Sequence, residues 1–270
     1  MALARYASLS RMRDPMLGAR AGGALGEGIA AAVTSGSAGL RAIIFDVDGT
    51  LYDQSALRRE MALRLLRGHA GHPIRGLRTL RILRAYRKGQ ERMRLGEASG
   101  DLAEAQIRFA CERTGFERAE VAGCVARWME QEPLFCLKRF IRPGLLDFLK
   151  VCRSRGLKLG ALSDYPAEAK LQAMELRELL DVVLCSQSSS IGVFKPHPLG
   201  LKRTLERLGA TSGETLYVGD RAEVDAAAAA AAGIACAIIG PQRNTGTERN
   251  WLEVAGYAEL QAILFPVHSR

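Results

Sequence analysis

From Arg41 onward the chain alternates short apolar runs with stretches that carry apolar residues at helical spacing. The runs are "RAIIFD" (41 to 46), "LKLGALSD" (157 to 164), "DVVLCS" (181 to 186), "TLYVGD" (215 to 220) and "IACAIIG" (234 to 240), each of strand length. Between them "LLDFLKVCRSRG", "PAEAKLQAMELRELL", "HPLGLKRTLERLG" and "EVDAAAAAAAG" predict helices, most of them closed by a glycine where a helix C-terminus favours one. Strands alternating with helices predict an α/β fold: a three-layer, Rossmann-like parallel sheet with helices on both faces. Functional groups are then expected at the carboxyl ends of the strands.

The interval from 55 to 137 interrupts this alternation. "SALRREMALRLLRG", "TLRILRAYRKGQERMR", "DLAEAQIRFACERTG" and "RAEVAGCVARWMEQE" all read as helix, separated by Gly or Pro. The predicted organisation is a discontinuous core over 41–54 and 138–270, with 55–137 inserted as a helical cap. A cap over the strand ends is where substrate choice would be made. Residues 1–40 show neither period and are excluded from the fold as a disordered extension. Their acid-poor, Arg- and Ser-containing composition also fits an organelle transit peptide, whereas no apolar core of a secretory signal is present. The expected location is cytoplasmic, or an organelle if residues 1–40 are such a peptide.

Composition narrows the class. The 270-residue chain is 48% apolar and 25% charged, enough to bury a sizeable core. No stretch approaches the roughly 18 to 20 unbroken apolar residues of a membrane span, so a soluble globular protein is expected. Cys111, Cys124, Cys136, Cys152, Cys185 and Cys236 are scattered without a C-x-x-C pair, which argues for reduced thiols over a disulfide framework or zinc site. His69 and His72 are separated from a shared helix face by Gly71 and Pro73, which argues against a metal site there. Much of the net charge of +9 lies between Arg58 and Arg94.

Within that basic stretch Arg78, Arg81, Arg84 and Arg87 recur beside Leu77, Leu80 and Leu83, giving adjacent basic and apolar stripes on one helix. Such a helix is either a solvated face beside a core face or a device for attracting an anionic substrate or an acidic surface. Without interleaved aromatics nucleic acid is an unlikely partner, while contact with an anionic membrane through the basic cap stays open. Oligomeric state is not legible.

Candidate chemistry begins at "IIFDVDGTLYDQ" (43 to 54), where an apolar strand ends on Asp46 and Asp48. Residues i and i+2 of an extended chain face the same way, so both carboxylates would meet at the sheet edge, an arrangement costly without a compensating cation. Three further strand ends add Ser163 in "ALSD", Lys195 in the Pro-containing "VFKPHP", and Asp220 with Asp225 in "LYVGDRAEVD". The seven alanines from 226 to 232 read as a close-packing helix ended by Gly233.

In this order the four motifs, over residues 41 to 262, resemble the haloacid dehalogenase superfamily, specifically its phosphatase branch with a helical cap after the first motif, as in phosphoglycolate phosphatases. The resemblance implies Mg²⁺-dependent hydrolysis of a small phosphate monoester. Asp46 would be the nucleophile that forms an aspartyl-phosphate, and Asp48 the proton donor to the leaving oxygen and then acceptor from water. Asp46, the main-chain carbonyl of Asp48 and Asp220 would hold Mg²⁺, which offsets repulsion between carboxylate and phosphate. Ser163 and Lys195 would hold phosphoryl oxygens, and Asp225, or Glu223 as its rival, would orient Lys195 or a metal-bound water. Arg221 stands where many relatives have Ser. The alternatives are a phosphomutase on the same core and a non-catalytic module docking through its basic cap. A dehalogenase would not keep an acid at Asp48.

Overall fold

The computed structural model describes residues 39–97, 100–240 and 250–266. Most of the expected N-terminal extension, residues 1–38, lies outside them. Six parallel strands form one sheet in the order β3-β2-β1-β4-β5-β6: β1 (Ala42–Phe45), β2 (Lys158–Ser163), β3 (Val182–Cys185), β4 (Thr215–Gly219), β5 (Ala235–Ile239) and β6 (Leu252–Val254). The first five coincide with the apolar runs. β6 is an edge strand of three residues, "LEV", too short to carry a legible alternation.

Alternation along β1 divides the core. Ile43 and Phe45 point into one apolar cluster with Phe148, Leu149 and Leu260, while Ala42 and Ile44 point into another with Leu201, Leu205 and Ala229. The first cluster is covered by α5 (Leu145–Ser154) and α9 (Tyr257–Leu264), with α6 (Glu168–Ala173) beside it; the second by α7 (Leu199–Leu208) and α8 (Ala227–Ala232). α8 is the predicted alanine helix, entirely Ala in sequence, and Gly233 ends it at φ 71°. The strand order reverses direction at β1, with β2 on one side and β4 on the other, which makes the ends of β1 and β4 the natural place for a site.

Between β1 and α5 stand α1 (Gln54–Gly68), α2 (Pro73–Arg92), α3 (Leu102–Thr114) and α4 (Arg118–Val125), followed by a π-turn at Ala126–Gln131. Asp53 caps α1 by accepting from the Ala56 N–H at 2.9 Å. α2 begins at Pro73, before the "TLRILR" pattern that predicted it, because proline is well suited to a first helical turn. The insertion has its own apolar cluster, in which Ile82 and Tyr86 of α2 meet Ile107 of α3 and Val121 of α4. Gly89 lets α2 approach α3 closely: a Cβ there would lie 3.0 Å from the Phe109 ring. The fold is thus an α/β core with an inserted helical cap. No described helix is long and apolar enough to cross a membrane, and all six cysteines are free.

Candidate active site

Register sets the site. Phe45 pairs with Ala161 on β2 and Val218 on β4, and the next residue, Asp46, donates its N–H to Val218 O at 2.8 Å. The carboxylate therefore emerges level with the end of β4. The turn that follows needs glycine twice over, since Gly49 has φ 100° and a Cβ there would stand 2.1 Å from Asp220 Oδ2. Thr50 Oγ1 donates to Asp46 Oδ2 at 3.0 Å, which holds the side chain from below.

Asp46, Asp220 and Asp225 offer carboxylate oxygens that lie within 4.8 Å of one another. One cation stands among them: Lys195 Nζ is 2.5 Å from Asp46 Oδ1 and 2.7 Å from Asp225 Oδ1. It also donates to the Tyr217 hydroxyl at 3.1 Å. Burial alone would depress the Lys195 pKa, but Asp225 and Asp46 outweigh it and hold the ammonium well above the ordinary lysine range. Asp225 is held low in spite of burial by Lys195, by the Arg221 main chain and by Tyr217. Its second oxygen accepts from the N–H groups of Asp220 at 3.2 Å and Arg221 at 3.0 Å. Gly219 makes room for it, because a Cβ there would lie 2.4 Å from Asp225 Cβ. Glu223, the rival, is exposed and pairs with Arg221 at 3.0 Å.

That leaves Asp46 and Asp220 under-compensated. Burial, with repulsion from Asp225 and Asp220, raises the Asp46 carboxyl well above its usual range although Lys195 pulls the other way. Burial and Asp225 push Asp220 up to about 6. Among the described residues the Asp220 carboxylate receives no hydrogen bond or ion pair. Two hard oxygen ligands crowded together with one buried lysine between three carboxylates fit a divalent cation of the Mg²⁺ type.

Asp48 is handled separately. Its Oδ1 receives Lys170 Nζ at 2.6 Å, and the Tyr52 hydroxyl donates to the same oxygen. Burial would raise this carboxyl, yet Lys170 and Tyr52 hold it below its ordinary value. β1 ends at Phe45, so Asp46 and Asp48 are not two residues of one strand, and each acid has its own lysine. Both face one cavity of about 750 Å³ at the ends of the strands, which Lys170, Lys195, Asp220 and Asp225 also line. Ser163, at the end of β2, is fully buried, is not among the residues lining that cavity, and accepts the Tyr165 N–H on Oγ at 3.2 Å.

Sequence reasoning missed several neighbours. Asp164, next to Ser163, accepts from the Lys195 N–H at 3.2 Å, from Ser186 Oγ at 3.0 Å and from Gln90 Nε2 at 3.2 Å. It also pairs with Arg94 at 2.5 Å, which ties the cap to the core. Arg221 reaches Glu91 of α2 at 3.4 Å and reinforces that tie. Arg142 Nε donates to Gly49 O at 2.8 Å and braces the first turn. Lys170 had no local signal, being one basic residue on α6. Of the basic stripe, Arg78 and Arg81 lie over the Phe116 ring at 4.7 and 5.5 Å, whereas Arg87 lines the cavity. His69 lies beside Trp128, with ring centroids 5.8 Å apart.

Known proteins resemble this chain in sequence and in fold. The sequence profile of haloacid dehalogenase-like hydrolases matches residues 40–233. A glyceraldehyde 3-phosphate phosphatase of Methanopyrus kandleri is 30% identical over 201 residues, 72% of this chain and 82% of its own. A phosphoglycolate phosphatase of Rhodospirillum rubrum is 27% identical over 219 residues, 74% of this chain and 79% of its own. Among solved structures, an HAD phosphatase from Thermococcus onnurineus superposes with a TM-score of 0.51 at 25% identity, covering 83% of this chain and 98% of that one. A 2-haloacid dehalogenase from Pseudomonas syringae pv. Tomato gives 0.59 at 19% identity, covering 83% and 98%, a likeness of fold alone.

Proposed function

The chain belongs to the haloacid dehalogenase-like hydrolases, and we propose that it is a Mg²⁺-dependent phosphatase that hydrolyses a small phosphate monoester through a phosphorylated Asp46. The observation that carries this reading is Asp48. It lines the same cavity as Asp46 and is held by its own donors, Lys170 and Tyr52. A leaving alkoxide needs a proton, and a leaving halide does not, so a second acid at that place supports phosphate over halide chemistry. The relatives named for glyceraldehyde 3-phosphate and phosphoglycolate support a phosphate ester as the class of substrate.

Asp46 attacks phosphorus and displaces the alcohol oxygen, which takes a proton from Asp48. Because Lys170 and Tyr52 favour the ionised form of Asp48, it takes up that proton when the anionic ester stands beside it and raises its pKa. Water then attacks the acyl-phosphate, and Asp48 receives its proton as inorganic phosphate leaves. Lys195, 2.5 Å from Asp46, lowers the repulsion between nucleophile and ester and stabilises charge on the phosphoryl oxygens. A preorganised donor of this kind is worth about 3 kcal/mol of barrier. Asp225 keeps Lys195 protonated and aimed. Ser163, at the end of β2, would be the second donor to the phosphoryl group, which requires its hydroxyl to turn toward the cavity that it does not line here. Asp46, Asp220 and the main-chain carbonyl of Asp48 would hold Mg²⁺, which when bound supplies the positive charge that lets Asp46 attack as a carboxylate.

Phosphate release from a panel of monoesters with and without Mg²⁺, in wild type and in Asp46→Asn, tests the proposal. Mg²⁺-dependent free phosphate that Asp46→Asn abolishes is expected. An isomerised sugar phosphate with no free phosphate would instead point to a mutase, and metal-independent turnover surviving in Asp46→Asn would end the reading.

A further inference from the structure

The cavity above Asp46 has two chemically distinct ends. Toward the sheet it is lined by the acids and lysines already described. Between α1, α2 and the Ala126–Gln131 turn it is lined by Leu57, Met61, Leu65, Leu80, Trp128 and Met129. These ends belong to one continuous space of about 750 Å³. Clefts of roughly 300–1,000 Å³ take ligands of drug-like size, so a three-carbon phosphate would occupy the acid end and leave the apolar end to water. Water against such a wall is unfavourable by about 25 cal/mol for each Å² of apolar surface.

The apolar end is not simply the packed interior of the cap. Ile82, Ala85, Ile107 and Val121 belong to a neighbouring cluster and do not line the cavity, although Met129 packs against that cluster as well. Met61, Leu80 and Met129 remain only partly buried after packing against Leu65 and Trp128, which leaves them open to the cavity. Arg58 and Arg87 also line the space, and neither has a hydrogen bond or ion pair among the described residues. Their charge favours entry of an anion, and beyond them the side chains between α1, α2 and the Ala126–Gln131 turn are mostly apolar, with the exposed Glu130 at the rim of the turn.

We propose that the substrate is amphiphilic: a phosphate monoester whose alkyl or aryl body fills the chamber between α1, α2 and the Ala126–Gln131 turn. The proposal deepens the phosphatase reading and rests on it for the position of the phosphate. Met61, Leu80 and Met129 are then the residues that select the organic part, and a polar body of equal size is selected against.

The test measures binding apart from turnover. Methyl-, propyl- and hexylphosphonate, which cannot be hydrolysed, are titrated into the full chain with Mg²⁺ by calorimetry. Affinity is expected to rise about fourfold per methylene, the value of a buried CH₂ group. In Met61→Gln/Leu80→Gln this slope should largely disappear, whereas Ile74→Gln, on the outer surface of α2 and 77% exposed, should keep it. An affinity independent of chain length, a slope that survives the double substitution, or no binding of any phosphonate overturns the proposal. Phosphate release from methyl and hexyl phosphate, run in parallel, reports on the phosphatase reading: a chain-length slope in binding with no phosphate released would sink that reading and leave the apolar chamber standing.

Discussion

Lys170 Nζ lies 2.6 Å from Asp48 Oδ1, with 12% and 16% of the two side chains exposed. The pair joins the first helix after β2 to the turn after β1, and it determines which protonation state Asp48 prefers. Burial acts to raise the Asp48 carboxyl, and Lys170 reverses the direction. Replacing Lys170 with Met should therefore move the limb of the pH–rate profile that belongs to Asp48 to higher pH. A profile that superimposes on wild type would show that Asp48 is not the group Lys170 controls.

Gly49→Ala tests the packing of the first turn against Asp220. The substitution places a Cβ 2.1 Å from Asp220 Oδ2 at a residue with φ 100°, so either the turn or the carboxylate must move. Backbone strain of this kind costs about 1–3 kcal/mol. The expected result is a denaturation midpoint lowered accordingly, together with loss of phosphate release out of proportion to the loss of folded protein. Full activity in a protein of unchanged stability would contradict the geometry.

Asp220 also predicts how metal binding depends on pH. Its folded pKa of about 6 lies above the ordinary carboxylate value of ~3.9. A proton on Asp220 thus stabilises the metal-free protein fully below the ordinary value, and that contribution is lost as pH rises through about 6. Mg²⁺ needs the ionised carboxylate and competes with that proton. The rise in Tm on adding saturating Mg²⁺ should be about 3 °C or more near pH 7.5 and shrink toward nothing near pH 5, as followed by thermal melts. In Asp220→Asn the rise and its pH dependence should both be lost. Equal shifts at the two pH values in wild type would remove Asp220 from the metal site.

Much of the core was legible because its signals are local. Five strands appear as bounded apolar runs, and the glycine at 233 stops α8 where the left-handed conformation requires it. Asp46, Asp48, Lys195, Asp220 and Asp225 were named because each follows an apolar run or sits in a short turn, and all five line one cavity. Ser163 was named by the same logic, yet its hydroxyl is engaged with the Tyr165 N–H and lies outside that lining. What could not be read was contact between residues distant in sequence. Lys170 meets Asp48 across 122 positions and Arg94 meets Asp164 across 70, and no periodicity of either segment encodes the partner. The basic stripe of α2 shows the same limit, since the chain alone does not say that Arg78 and Arg81 pack on Phe116 while Arg87 turns to the cavity.

On the proposed mechanism, phosphate passes to Asp46 before water receives it. Rapid mixing of wild-type protein with Mg²⁺ and a radiolabelled phosphate monoester, followed by acid quench and peptide mapping, measures this directly. Transient label is expected on the peptide that contains Asp46, decaying as free phosphate appears, with no label in Asp46→Asn. Free phosphate formed at the full rate with no labelled peptide at any time would contradict it.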